Sequence, residues 1–561
     1  MGSLLFHVVA VVHLTSVFFN ISSTHSMPSS SRASRIKNSA DVFEASWWMD
    51  DSTRPKASRT RKNTLESIST SWQEDDPNVL RRVLLKNSSA TCNDGSPAGY
   101  YLRRYPRSKL WLIFLEGGWY CHDEASCMSR WLHTPSLMSS KSWQTYHAAG
   151  GILSGDEEEN PIFWRANIVY IPYCSSDVWT GNTPKGKGQK LAFMGSLILQ
   201  EVITQLLAKG LRKGKRLLLA GSSAGATGVL LNVDTVGHWL RMHGSKIKVR
   251  GLVDSGWFLD AAPYSKTDCM DPRRCSPAAT LRKGIKLWNS ELPGRCMSSH
   301  RHEPWNCFYG SNIYSTLQSP VFIFQWLYDE AQLMASNAFV PRTKAQGLYV
   351  QSIRTKLIRD LQNVSAVFAP ACVGHVVLND RQWTSFSIDG VSFGEALRCW
   401  WDGSTENNVP PPSPLLPDFE QADAAAKPPR PLCTSKEARL CRRKMKSQVK
   451  LKSGGFLRKR CPCRRAESRS AVAKQWTKEQ PSSFLGQRDK RSVDYSPFEV
   501  SLDSFSKTCS HRLIDDCALP NCSEQCPRSY DTFSGKPIGF EQMLRNAGVK
   551  SEDPINEIFS R

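Results

Sequence analysis

The chain has 561 residues, 40% of them hydrophobic, which is enough for one large α/β domain with an ample core or for two smaller ones. Its formal net charge of +22 is concentrated in one segment: between Lys427 and Arg491 about 21 Lys and Arg face about four acids. After the N-terminal stretch no run of about 20 apolar residues occurs, so the body of the chain is not expected to span a membrane.

Residues 1–26 read as a secretory signal peptide, because the apolar run from Leu4 to Phe19 contains no Lys, Arg, Asp or Glu and is followed by small polar residues. Secretion to an extracellular, oxidising compartment agrees with the even number of cysteines, 18. N-glycosylation triplets at Asn87, Asn363 and Asn521 fit the same location. Cys509, Cys517, Cys522 and Cys526 are spaced closely enough to hold zinc, but in a secreted chain they are expected to form disulfides. No metal, cofactor or nucleic acid is called for.

Residues 27–83 are rich in Ser, Thr, Arg and Lys and read as a disordered leader; nothing in the sequence accounts for the adjacent Trp47 and Trp48. Order is expected from residue 84, with a catalytic domain over 84–406. Tyr100–Arg103 and Lys109–Leu115 read as strands, and the second runs into Glu116-Gly117-Gly118-Trp119-Tyr120. Two glycines after a buried strand let the backbone approach a neighbour with its N–H groups turned outward. Ala166–Tyr173 is another strand, Leu197–Leu207 a helix, and Val249–Val253 and Val321–Leu327 further buried strands. This alternation predicts an α/β-hydrolase-like fold, a mainly parallel sheet flanked by helices and stabilised by disulfides. Residues 407–501 form a Pro-rich and basic low-complexity insertion, 502–550 a Cys-rich tail packing on the catalytic domain, and 551–561 a disordered C-terminus.

The chemistry centres on Gly221-Ser222-Ser223-Ala224-Gly225. This G-x-S-x-G sequence follows the apolar run Arg216–Ala220 and precedes the helix-compatible Ala226–Val233, the strand–turn–helix setting of a nucleophile elbow. A serine needs an imidazole base, and the imidazole needs a carboxylate to set its tautomer. In chain order serine, acid, histidine, Asp329 is the favoured acid, with Asp254 and the neighbouring Glu330 as competitors. For the base, His375 at a glycine-containing turn stands against His238, His243, His300, His302 and His511.

Five longer stretches resemble the Notum family of secreted palmitoleoyl-protein carboxylesterases, relatives of the pectin acetylesterases. They are Leu115–Cys121, Ile171–Trp179, Ala220–Gly225, Asp254–Asp260 and Gln325–Gln332. The resemblance implies Ser223 as nucleophile, Asp329 as acid and His375 as base, with backbone N–H groups of Gly118 or Trp119 and of Ala224 as the oxyanion hole. It implies an acyl pocket lined by Trp119, Tyr120, Phe258, Phe308 and Tyr309, a palmitoleoylated Wnt protein as substrate, and heparan sulfate on glypicans as partner of the basic surface. Three features depart from the vertebrate members: the basic stretch 427–491, Tyr309 in place of a phenylalanine, and Ala226 in place of a glycine. Two other readings stand beside this one, a sugar O-acetyl esterase and a non-catalytic heparan-binding antagonist. Arg488-Asp-Lys-Arg491 also has the form of a proprotein-convertase site.

Overall fold

The apolar runs assemble into one ten-stranded sheet. The computed structural model of the chain describes residues 76–403 and 509–560, apart from short gaps at 88, 187–189, 266–274, 524–525, 527–528 and 531–536. The expected signal peptide, the basic insertion and the convertase motif lie outside the described residues.

The strands of the sheet are β1 (Val79–Leu84), β2 (Gly99–Arg103), β3 (Leu110–Leu115), β4 (Tyr146–Ala148), β5 (Asn167–Ile171), β6 (Arg216–Ser222), β7 (Lys248–Asp254), β8 (Val321–Phe324), β10 (Val367–Ala369) and β12 (Arg512–Ile514). Two short strands, β9 (Tyr328–Asp329) and β11 (Val373–Gly374), pair with each other outside it. The order across the sheet is β12-β10-β8-β7-β6-β3-β5-β2-β1-β4. From β12 to β5 every pairing is parallel, and β2, β1 and β4 continue it antiparallel. Parallel strands covered on both faces are apolar throughout; Leu217, Leu218, Leu219 and Ala220 of β6 are all fully buried. Helices α1 (Glu124–His133), α2 (Gly195–Ala208), α3 (Ala224–Met242), α4 (Pro277–Trp288), α5 (Glu330–Ala335), α6 (Lys344–Leu361) and α7 (Phe393–Gly403) follow in chain order. Among the described residues no helix is long and apolar enough to cross a membrane.

Three boundaries differ from the sequence reading. Order begins before residue 84, because β1 pairs with both β2 and β4 and buries Val79 and Leu80. Arg81 and Arg82 hid this strand in a charged stretch. The run Val321–Leu327 is a strand only to Phe324, after which the chain leaves the sheet and the Gln325 carbonyl oxygen of the side chain accepts the Trp257 N–H at 2.9 Å. The terminus expected to be disordered over 551–561 contains a helix: Pro554–Phe559, capped by Asp553, with Ile558 and Phe559 buried. One and a half turns are too short to show a period, so packing decides this helix.

The tail enters the main sheet directly. Strand β12 forms its edge beside β10, and disulfides Cys399–Cys509 and Cys372–Cys526 join the tail to the preceding domain. Cys517–Cys522 closes a local loop, so all four tail cysteines are in disulfides; Cys92–Cys174, Cys121–Cys127 and Cys296–Cys307 brace the rest. Asn363 is exposed and Asn87 half-buried, while the Asn521 side-chain oxygen accepts the Val373 N–H at 2.6 Å. A glycan on Asn521 would have to leave that bond intact.

The Phe559 ring packs 5.9 Å from Phe540 and is 5% exposed. Phe559→Ala should lower the free energy of unfolding by about 3 kcal/mol, measured from the urea midpoint, whereas a frayed terminus would leave the midpoint in place.

Candidate active site

Strand β6 ends at Ser222 and helix α3 begins at Ala224, so Ser223 alone makes the turn. Its φ of 56° and ψ of −124° lie where L-residues rarely settle. The turn is possible because Gly225 packs on β3: a Cβ there would stand 2.0 Å from the Leu115 carbonyl oxygen. From the same segment, a Cβ at Gly117 would meet the Ser222 carbonyl oxygen at 2.5 Å and the Ser223 Cβ at 2.9 Å. The serine turn and the end of β3 therefore meet at two positions, Gly225 and Gly117, that must both be bare.

Asp329 and His375 are brought side by side by the β9–β11 pair, in which Asp329 is opposite Gly374. Asp329 also caps α5, its Oδ1 accepting the Gln332 N–H at 3.0 Å. That leaves Oδ2 for Gln325 Nε2 at 3.1 Å and for His375 Nδ1 at 3.0 Å. With the Nδ1–H given to the carboxylate, Nε2 is free to accept the Ser223 hydroxyl, 2.9 Å away. Ser223, Asp329 and His375 are 2%, 3% and 7% exposed. A serine–imidazole–carboxylate relay of this kind can activate the hydroxyl as a nucleophile.

The competing residues lie elsewhere or have other partners. Asp254 is fully buried at the end of β7, its carboxylate surrounded by donors from Ser222, Ser255, Val377 and Leu378. Glu330 is 4% exposed; burial, with the nearby Asp329 charge, pushes it up to about 7 although His375 pulls it down. His238 lies in α3, His243 caps that helix on the Trp239 carbonyl, and His300 and His302 follow Ser299 on a partly exposed loop. His511 lies beside β12, near the Cys399–Cys509 disulfide. These three residues are the one metal-type cluster among the described residues, and the disulfide occupies both sulfurs.

Burial pushes the His375 imidazole down, but the Asp329 charge and hydrogen bond, with Asp254 and Glu330 behind it, outweigh burial and raise it above its ordinary value. Beside the serine lies a cavity, about 440 Å³ with its open mouth included, lined by Trp119, Tyr120, Val178, Ala224, Thr227, Phe258, Pro277, Leu281, Phe308 and Tyr309. All five aromatics expected at an acyl pocket are on its wall. Val178, Thr227, Pro277 and Leu281 were not expected. Thr227 lies one helical turn after Ser223, a spacing that was readable, whereas Pro277 and Leu281 arrive on α4 through long-range packing. The Trp119 and Tyr120 rings stack at 5.7 Å, and the Tyr120 hydroxyl is 2.8 Å from Thr280 Oγ1 on α4. Trp119 has a φ of 61°, and no described backbone hydrogen bond uses the N–H of Gly118, Trp119 or Ala224.

A parallel sheet whose carboxyl edge carries a serine, histidine and aspartate in mutual contact defines an α/β-hydrolase-like protein. The profile of the pectinacetylesterase family matches residues 73–409, and the chain belongs to that family. It is 51% identical over 326 residues to the Mus musculus palmitoleoyl-protein carboxylesterase NOTUM, covering 57% of this chain and 65% of that protein. The Homo sapiens protein of the same name is 50% identical over 326 residues, covering 57% and 66% respectively. The Drosophila melanogaster protein is 46% identical over 347 residues, covering 61% and 51%. The chain thus spans less than two thirds of the length of these relatives.

Two outcomes follow from the geometry. A base with a raised pKa must lose its proton before it can act, so kcat/KM for an ester should fall toward acid with a midpoint above about 6.5, read from a pH–rate profile. Gly117→Ala should displace the Ser223 side chain and reduce kcat by about 100-fold or more, while thermal unfolding changes far less.

Proposed function

We propose that the protein is a secreted serine carboxylesterase that removes palmitoleate from a serine of Wnt proteins and thereby lowers Wnt signalling. The observation that carries this reading is the apolar cavity opening beside Ser223. Its wall is formed by apolar and aromatic side chains such as Trp119, Phe258, Leu281 and Phe308. Burial of each methylene contributes about 0.8 kcal/mol, so a long acyl chain would gain much of its binding there and an acetyl group very little. The names of the similar mouse, human and fly proteins support the same reading.

In the proposed mechanism the Ser223 oxygen attacks the ester carbonyl carbon as His375 Nε2 takes its proton. The carbonyl oxygen becomes an oxyanion facing the N–H groups of Gly118 or Trp119 and of Ala224; each such donor contributes about 10²–10³ in rate. Collapse breaks the bond to the substrate serine oxygen, which leaves with the proton from His375. Water then attacks the acyl-Ser223 ester, giving its proton to His375, and the fatty acid departs as Ser223 recovers its hydrogen. Asp329 holds the imidazole tautomer and stabilises the imidazolium at each step.

The disulfides support secretion. In the same reading Asn87, Asn363 and Asn521 carry glycans, and the basic stretch 427–491 meets sulfated chains such as heparan sulfate. The family match favours one other reading, hydrolysis of O-acetyl esters on a carbohydrate.

Secreted protein should release fatty acid from a palmitoleoylated serine peptide, and Ser223→Ala should abolish release. Across chromogenic esters of increasing chain length, kcat/KM should rise about fourfold per methylene until the cavity is full. A preference for acetyl esters would replace the lipid reading with the carbohydrate one.

A further inference from the structure

Ser223 and His375 lie 152 residues apart, on segments that share no strand pairing, yet their reacting atoms must keep a 2.9 Å contact. Both sites are strained. Ser223 has a φ of 56°, and Val376, next to His375, has a φ of 62° although it is β-branched. Such backbones persist only where their surroundings hold them.

One buried side chain reaches both segments. Asp254 ends β7 opposite Ser222, and its carbonyl oxygen accepts the Ser223 N–H at 2.8 Å. Its Oδ2 accepts the Ser222 hydroxyl at 2.6 Å on one side, and the Val377 and Leu378 N–H groups at 2.9 and 3.1 Å on the other. Its Oδ1 accepts the Ser255 hydroxyl at 2.9 Å, and Ser255 Oγ in turn accepts the Val376 N–H at 3.0 Å. Three successive N–H groups after the histidine are thus fixed by Asp254 or through its neighbour. Only a carboxyl group offers two acceptor oxygens at one position.

We propose that Asp254 is a positioning residue that ties the Ser223 turn to the His375 loop and so sets the contact between nucleophile and base. It touches neither substrate nor the reacting atoms with its side chain; it acts through Ser222 and residues 376–378. The inference rests on Ser223 and His375 working as the nucleophile–base pair of the esterase reading.

The test separates the two. A small fluorophosphonate probe labels an activated serine whatever acyl chain the pocket prefers, so the labelling rate reports the serine–imidazole pair alone. Asp254→Ala should label at least about 100-fold more slowly than the wild type, and Asp254→Asn, which keeps an oxygen for the Val377 and Leu378 N–H groups, should recover much of that loss. On a chromogenic ester the same variants should lose kcat with KM within about twofold, because the pocket wall is untouched. Ser255→Ala, which releases only Val376, should slow labelling about threefold or more. A folded Asp254→Ala protein that labels at the wild-type rate overturns the proposal; where that variant does not fold, a wild-type rate for Ser255→Ala does so. Wild-type protein that labels promptly at Ser223 yet hydrolyses no lipid ester overturns the substrate reading and leaves this one standing.

Discussion

The turn at Ser223 is the constraint on which the rest depends. A residue at φ 56° and ψ −124° costs on the order of 1–3 kcal/mol, and β6 can hold it there because that strand is central, hydrogen-bonded to β3 on one side and β7 on the other. The order of the sheet then brings each required group to the same carboxyl edge. Strand β3 delivers the Gly117-Gly118-Trp119 turn, β7 delivers Asp254, and the chain beyond β8 and β10 delivers Asp329 and His375. Open α/β sheets place ligands at this edge because the loops that leave it are free to converge while the strands stay rigid.

Three carboxyl groups surround one imidazole, and their partners divide the work. Asp329 gives an oxygen to the His375 ring itself. Asp254 is covered by hydroxyl and N–H donors and is turned to the Ser222 hydroxyl on one side and to the backbone N–H groups of Val377 and Leu378 on the other. Glu330 lies at the first position of α5, where burial and the adjacent Asp329 push it up to about 7. All three bear on His375, which is why the ring is raised although buried. An imidazole in that field favours its protonated form, the form it takes as the serine attacks.

The cavity is built by elements far apart in the chain. Its aromatic wall begins with the stacked Trp119 and Tyr120, continues through Phe258 beyond β7, and is closed by α4 and by Phe308-Tyr309. Cys121–Cys127 clamps the loop that carries Trp119 to α1, and Cys296–Cys307 closes the segment before Phe308. These cross-links bear on the segments that form the pocket, so the disulfides serve the proposed acyl site as well as the fold. Tyr309 adds a phenol to this wall, with burial and the Asp260 charge holding it protonated.

The sequence alone determined the class of fold and the place of the serine turn, because these are local signals, while the aromatic set was reached through the family resemblance. Apolar runs mark buried strands, and a G-x-S-x-G between strand and helix marks a turn that needs two bare backbones. Chain order favoured Asp329 and His375, but it left Asp254 and Glu330 open, since all three acids follow or adjoin buried strands. Only the tertiary structure decided among them: β9 pairs with β11, setting Asp329 against His375, while the register of β6 with β7 turns Asp254 toward Ser222. The same limit explains the missed strand β1, the C-terminal helix and the α4 wall of the cavity. Each is short or charged, and each acquires its place from contacts with residues distant in sequence, which no local pattern records.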